Sequence, residues 1–187
     1  MINGLTDDLH PCQALTDYFT LTEVFGDLTG RTIAYVGDGN NMAHSLMLAA
    51  PKVGMHIAVA SPDGFQVQDK YVEQARAAAA EAGTEIKLTT HPREAVTGAS
   101  AVYTDVWASM GQEEEAAERL RAFAGYTVDS ELMAGARRDA VFLHCLPAHR
   151  GEEVSAAVAD GPQSRIFDEA ENRLHVQKAV LIKLMSR

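Results

Sequence analysis

The stretch Arg31-Thr32-Ile33-Ala34-Tyr35-Val36-Gly37-Asp38-Gly39-Asn40-Asn41-Met42 decides the fold. A β-branched and aromatic run ends at a glycine turn, and an apolar, Met/Leu/Ala-rich stretch over residues 41–50 follows at once. That is a strand running through a tight turn into a helix. Four further short runs read as strands, at residues 56–60, 85–89, 101–104 and 140–144. Between them, residues 68–82 are strong helix formers, and residues 113–124 are helical with acids massed in the first turn, where the helix dipole favours them. Strands separated by helix-length connections predict an α/β fold, a Rossmann-like parallel sheet with helices on both faces in a single domain. Residues 11–26 and 171–185 read as flanking helices, and Pro51 should end or kink the helix that precedes it.

Composition narrows the function. The 187 residues carry 26 acids against 16 Lys and Arg, a formal net charge of −10. No basic run exists to neutralise phosphates, so neither nucleic acid nor an anionic membrane surface is an expected partner. No apolar run approaches the ~18 residues of a spanning helix. The start, Met1 to Asp8, lacks the pattern of a signal peptide. Cys12 and Cys145, with no secretory signal, read as reduced thiols in a cytoplasmic protein.

Open α/β sheets bind ligands beyond the carboxyl ends of their strands, and four peptides fall at such places. Gly37-Asp38-Gly39-Asn40-Asn41-Met42 half-matches a dinucleotide turn, but Met42 replaces the third glycine, and Ala60-Ser61-Pro62 lacks an acid for a ribose hydroxyl. The turn reads equally as a plain Gly turn capped by Asn40, or as one that aims the Asn41 amide at a substrate carboxylate. In Asp105-Val106-Trp107-Ala108-Ser109-Met110-Gly111, Asp105 can pair with an ammonium while Ser109 and the Met110 N–H meet a carboxylate. The plainer alternative has Ser109 or Gln112 capping a helix and Met110 in the core.

In His144-Cys145-Leu146-Pro147 the first two side chains point to opposite faces, which argues against a Cys–His catalytic pair. Local spacing supports no metal site, a buried structural Cys145 is the default, and Leu146-Pro147 is a candidate cis bond. His10-Pro11-Cys12-Gln13 opens a helix, where free N–H groups attract an anion or a carbonyl oxygen, unless it is simply a cap. Arg173 is a base amid acids, an ordinary surface ion pair unless a ligand uses it.

Taken together and in order, His10-Pro11-Cys12-Gln13, Gly37-Asp38-Gly39-Asn40-Asn41, Asp105 to Glu113, His144-Cys145-Leu146-Pro147 and Glu169-Ala170-Glu171-Asn172-Arg173 resemble the second half of ornithine carbamoyltransferase over essentially the whole chain. Ser109-Met110-Gly111 and Cys145-Leu146 set that family apart from aspartate carbamoyltransferase. The resemblance implies that Asn41, Asp105, Ser109 and Met110 hold the α-amino and α-carboxylate groups of L-ornithine. It implies that His10, Gln13, Cys145, Leu146 and Arg173 face carbamoyl phosphate. Asp105, Cys145, His10 and Arg173 would then serve the transfer to citrulline, with no cofactor, metal or covalent intermediate. It implies a homotrimer in the full-length family, in arginine biosynthesis or the arginine deiminase pathway. The family's Ser-Thr-x-Thr-Arg phosphate loop has no counterpart here; Thr89-Thr90-His91-Pro92-Arg93 is only superficially like it. Residues 1–187 are therefore expected to be the ornithine-binding domain, without the carbamoyl-phosphate domain and with little turnover alone. The last helix would leave exposed the apolar residues that pack on that domain. A non-catalytic amino-acid sensor and, behind it, an NAD-dependent oxidoreductase domain are the competing readings.

Overall fold

The computed structural model describes residues 2–107 and 116–186. Five strands, β1 (Thr32–Val36), β2 (His56–Ala60), β3 (Ile86–Thr89), β4 (Ala101–Thr104) and β5 (Val141–His144), pair in parallel in the order β3-β2-β1-β4-β5. The expected strands are all present, to within a residue at their starts. The first three strands step one way across the sheet and the last two step the other, so the order reverses beside β1. The gap between the ends of β1 and β4 is the switch point.

Strand parity divides the core. Ile33, Tyr35, Ile57, Val59, Ala101, Tyr103, Val141 and Leu143 face α1 (Pro11–Phe25), α2 (Asn41–Ala49) and α3 (Asp69–Ala82). Ala34, Val36, Ala58, Ala60, Val102 and Phe142 face the other way, toward α4 (Pro92–Val96), α6 (Ser130–Met133), α7 (Ala156–Ala159) and Phe123 at the end of α5 (Ala116–Ala122). Both faces of the sheet are covered, as a parallel sheet requires. α8 (Ile166–Met185) returns along α1 and touches β5.

α2 stops at Ala49 and tightens into a 3-10 turn, Ala50–Val53, with Pro51 near its start, where the missing N–H costs nothing. α8 starts at Ile166, ahead of the expected residue 171, because the buried side of its first turns is Ile166, Glu169 and Asn172. Two of those three are polar, so the apolar periodicity starts later than the helix. The one-turn helices α4, α6 and α7 are too short to show a period. The acidic start expected for α5, residues 113–115, lies outside the described residues. Among the described residues no helix is long and apolar enough to cross a membrane.

Candidate functional site

The switch-point crevice is lined by the turn after β1, the residues after β4 and β5, and the starts of α1 and α2. Glycine is required in the first turn. Gly37 sits at φ 151°, and a Cβ on Gly39 would lie 2.2 Å from the backbone nitrogen of Val67. The turn's N–H groups are already used: Gly37 donates to Ala60 O (2.9 Å), Gly39 to Phe65 O (2.8 Å) and Asn40 to Asp38 O (2.8 Å). With three of its N–H groups already committed, and Met42 packed in the core where a third glycine would have to sit, the turn is poorly suited to cradle a pyrophosphate.

Asn40 organises what the turn does instead. Its Oδ1 accepts from Met42 N (3.0 Å), Ala43 N (3.3 Å) and Tyr35 OH (3.1 Å), capping α2. Its Nδ2 donates to Asp105 Oδ2 (2.7 Å) across the crevice. Asp105 Oδ1 accepts from its neighbour Val106 N (2.8 Å) and from the Cys145 thiol (3.0 Å). Asn40, Asp105 and Cys145 thus form one chain of contacts over the ends of β1, β4 and β5. Burial, followed by the Asp105 charge, pushes the Cys145 thiol well above its ordinary range. It is a hydrogen-bond donor at neutral pH, not a thiolate nucleophile.

Asn41, one residue on, donates from Nδ2 to Thr6 O (2.8 Å) and lies at the rim. The sequence marks Asn40 only as a cap; in the structure its side chain also reaches Asp105, because a cap at the start of α2 stands at the crevice. Ser109 and Met110 lie outside the described residues. Their flanks are firmly held: Arg119 on α5 donates to Trp107 O (2.7 Å) and pairs with Asp38 of the first turn (2.6 Å), and its guanidinium lies over the Phe65 ring. Burial raises the Asp38 carboxyl above its ordinary range, with Arg119 opposing the rise.

His144 and Cys145 point to opposite faces. His144 is buried; its Nδ1 accepts from Leu146 N (2.9 Å) and its Nε2 faces Glu153 Oε1 (3.3 Å). The Leu146-Pro147 bond is cis, and Leu146 has φ 61°. Asp105, His144 and Cys145 bring potential ligand atoms within 4.8 Å of one another. Asp105 Oδ1 and Oδ2, the Cys145 thiol and both His144 nitrogens are each engaged in the contacts above, so the trio is poorly disposed to take a metal. Both cysteines are free thiols.

At the start of α1, His10 and Arg173 share an open cleft of about 600 Å³ with Ile2, Leu5, Cys12 and Leu181. His10 Nδ1 lies 3.0 Å from Gly4 O, and burial, then Arg173, depress its pKa. With Nδ1–H donating to that carbonyl, a neutral His10 presents Nε2 as an acceptor. Arg173 donates to Gln13 Oε1 and, with the Gln177 amide oriented by its contacts, to Gln177 Oε1 (2.8 and 2.9 Å). Among the described residues no carboxylate lies within ion-pair distance of it, so it is not an ordinary surface ion pair. Two amides hold the guanidinium in place without neutralising it, which suits a residue waiting for an anion.

Fold and crevice define the class: a parallel α/β domain whose polar side chains converge at the switch point, where such sheets take small ligands. The sequence profile described as "Aspartate/ornithine carbamoyltransferase, Asp/Orn binding domain" matches residues 29–184, and the chain belongs to that family. Among relatives, it is 59% identical over 186 residues to an ornithine carbamoyltransferase of Symbiobacterium thermophilum, covering 100% of this chain and 60% of the relative. It is 54% identical over 181 residues to that of Bacillus subtilis, covering 97% and 57%. Solved ornithine carbamoyltransferases superpose closely: that of Gloeobacter violaceus with TM-score 0.92 at 50% identity, covering 99% of this chain and 62% of that one, and that of Pyrococcus furiosus with TM-score 0.92 at 52% identity, covering 96% and 57%. The chain thus spans about 60% of the length of the relatives it matches.

Proposed function

We propose that residues 1–187 are the ornithine-binding domain of a cytoplasmic ornithine carbamoyltransferase, and that a separate carbamoyl-phosphate domain completes the site. The observation that carries this reading is the Asn40–Asp105–Cys145 chain of contacts at the switch point of a domain of this family. Asp105 offers a carboxylate to the α-ammonium of ornithine, with Asn41 at the rim and Ser109 and Met110 for the α-carboxylate. Arg173 offers charge, and His10, Cys145 and Leu146 offer polar groups, to carbamoyl phosphate, while the Gln13 amide, buried between α1 and α8, holds Arg173 rather than meeting the ligand itself.

In the reaction the uncharged δ-amine forms an N–C bond to the carbamoyl carbon, the C–O bond to phosphate breaks, and the amine proton leaves with phosphate or a nearby base. Citrulline and phosphate result. A protonated Cys145 thiol fits a donor or orienting role in which no covalent intermediate forms. Polarising the carbamoyl oxygen from His10 Nε2 needs a second proton on that ring, since Nδ1 already donates to Gly4 O. The full-length partner is read as a homotrimer. In it, the exposed apolar side of α8 would pack on the other domain.

The test is an amide chemical-shift titration of this chain with ornithine, with putrescine as control. Shifts at Asn40, Asn41, Asp105 and Cys145 with ornithine alone support an amino-acid pocket. Equal shifts with putrescine, which lacks the α-carboxylate, would overturn the amino-acid assignment.

A further inference from the structure

The seam between α1 and α8 carries polar side chains where helix packing ordinarily puts apolar ones. Gln13 and Asp17 lie one turn apart on α1, and Glu169 and Arg173 one turn apart on α8. Asp17 is 0% exposed and Gln13 and Glu169 are each 1% exposed. Gln13 joins all four. Its Nε2 donates to Asp17 Oδ1 and to Glu169 Oε1, both at 2.7 Å, while its Oε1 accepts from Arg173. Glu169 gathers two more donors, Tyr103 OH on Oε1 (3.3 Å) and His144 N on Oε2 (3.0 Å). Asp17 Oδ2 is buried and has none.

An ionised carboxylate only accepts, so two of them around one amide nitrogen repel each other, and here the nearest guanidinium is turned onto the amide oxygen instead. A proton on Asp17 Oδ2 resolves both difficulties. It turns the orphan oxygen into a donor, with Glu169 as the acceptor in reach.

We infer that Asp17 and Glu169 hold one proton between them and act as a positioning pair, locking the Gln13 amide so that its oxygen holds Arg173 at the cleft. Only the functional consequence rests on the proposed role of Arg173 toward carbamoyl phosphate; the shared proton does not. Burial raises both carboxyls, and the Glu169 charge raises Asp17 further, well above its ordinary value. The donors on Glu169 work against its burial and hold it at about 7. The groups facing the pair are Tyr103 from β4, His144 from β5, Cys145 just after it, Gln13 and Tyr18 from α1 and Arg173 from α8.

The 187-residue chain serves for the direct test. Infrared difference spectra at about pH 7.5 should show one protonated carboxyl C=O stretch that Asp17→Asn removes. The Gln13 side-chain amide protons should exchange slowly in wild type and in Asp17→Asn, whose amide can donate to Glu169 as the protonated acid does. Exchange should be fast in Glu169→Gln, whose own amide protons would face the Tyr103 and His144 donors. In the chain joined to a carbamoyl-phosphate-binding half, Glu169→Gln should raise the KM for carbamoyl phosphate roughly tenfold while moving that for ornithine less than about twofold. Absence of the protonated-carboxyl band, or Gln13 protons as protected in Glu169→Gln as in wild type, overturns the shared proton or the lock. Equal KM changes for both substrates overturn the positioning role. Failure of the joined wild type to form citrulline would count against the proposed function alone, leaving the infrared and exchange results to judge the pair.

Discussion

At the scale of single residues, the crevice is governed by one carboxylate. Asp105 accepts from Asn40, Val106 and Cys145 at once, so removing its charge acts on three elements together. Cys145 should react slowly with iodoacetamide near neutral pH, because burial and Asp105 hold the thiol protonated. Asp105→Asn should speed that alkylation at a given pH, since a negative neighbour no longer opposes the thiolate; mass spectrometry against time at fixed pH reads it. A variant alkylated more slowly than wild type would contradict the assignment. The buried carboxyl pair makes a pH prediction whose sign is opposite to ordinary acid denaturation. Asp17 and Glu169 keep their protons above the unfolded values, so the unfolded chain releases them first. Their contribution to stability is present below about pH 4 and is lost as pH rises, through about 7 for Glu169. His10 and His44, both depressed mainly by burial, add stability over the upper part of the same range. The difference between wild type and Asp17→Asn therefore isolates the pair. In urea unfolding, wild type should lose stability relative to Asp17→Asn as pH rises from about 4.5 to 7, by no more than about 1.4 kcal/mol per pH unit for each proton involved. Parallel curves would contradict a shared proton.

Elements hold the crevice open through two contacts that a fold of this class can ill spare. Gly39 packs against the 66–67 backbone, and Gly39→Ala should cost at least about 1–3 kcal/mol in unfolding free energy. The Arg119–Asp38 pair clamps α5 to the turn after β1, both side chains being largely buried. Arg119→Met should destabilise by about 3 kcal/mol because it strands a buried carboxylate, and Asp38→Asn in the same chain should recover part of the loss. Both are read in urea melts, and an additive double variant would show that the two residues do not act as a pair. At this scale the sequence was informative wherever a period existed. The β-branched runs at residues 31–36 and 56–60, the glycine turn and the helix-breaking Pro51 all carry their meaning locally. α8 was read short because Glu169 and Asn172 are buried polar residues, and burial of a polar group depends on partners on α1 that no local pattern reveals. Asn40 was half legible for the same reason: its capping bonds are local, but its bond to Asp105 spans the sheet.

Across the whole molecule, the apolar side of α8 stands out. Leu174, Ile182, Leu184 and Met185 are between 56% and 73% exposed, on a helix whose other side is sealed against α1. A patch of that kind should bind a hydrophobic dye and promote association. Ile182→Glu with Leu184→Glu should lower dye fluorescence and sedimentation-detected association while leaving the urea midpoint within about 0.5 kcal/mol of wild type. A large loss of stability would mean that these side chains support the fold itself. The polar residues of the α1–α8 seam and the Asp105 crevice are separate networks joined through β5, since His144 N meets Glu169 while the adjacent Cys145 meets Asp105. The two halves of the proposed reaction, one amino-acid site and one anion site, meet at that strand end. The most direct test joins this chain to the carbamoyl-phosphate-binding half of the Symbiobacterium thermophilum relative and measures citrulline from ornithine and carbamoyl phosphate. Citrulline should form and should be lost on Asp105→Ala. A folded, carbamoyl-phosphate-binding chimera that makes no citrulline would contradict the proposal that this domain is the ornithine-binding half of the enzyme.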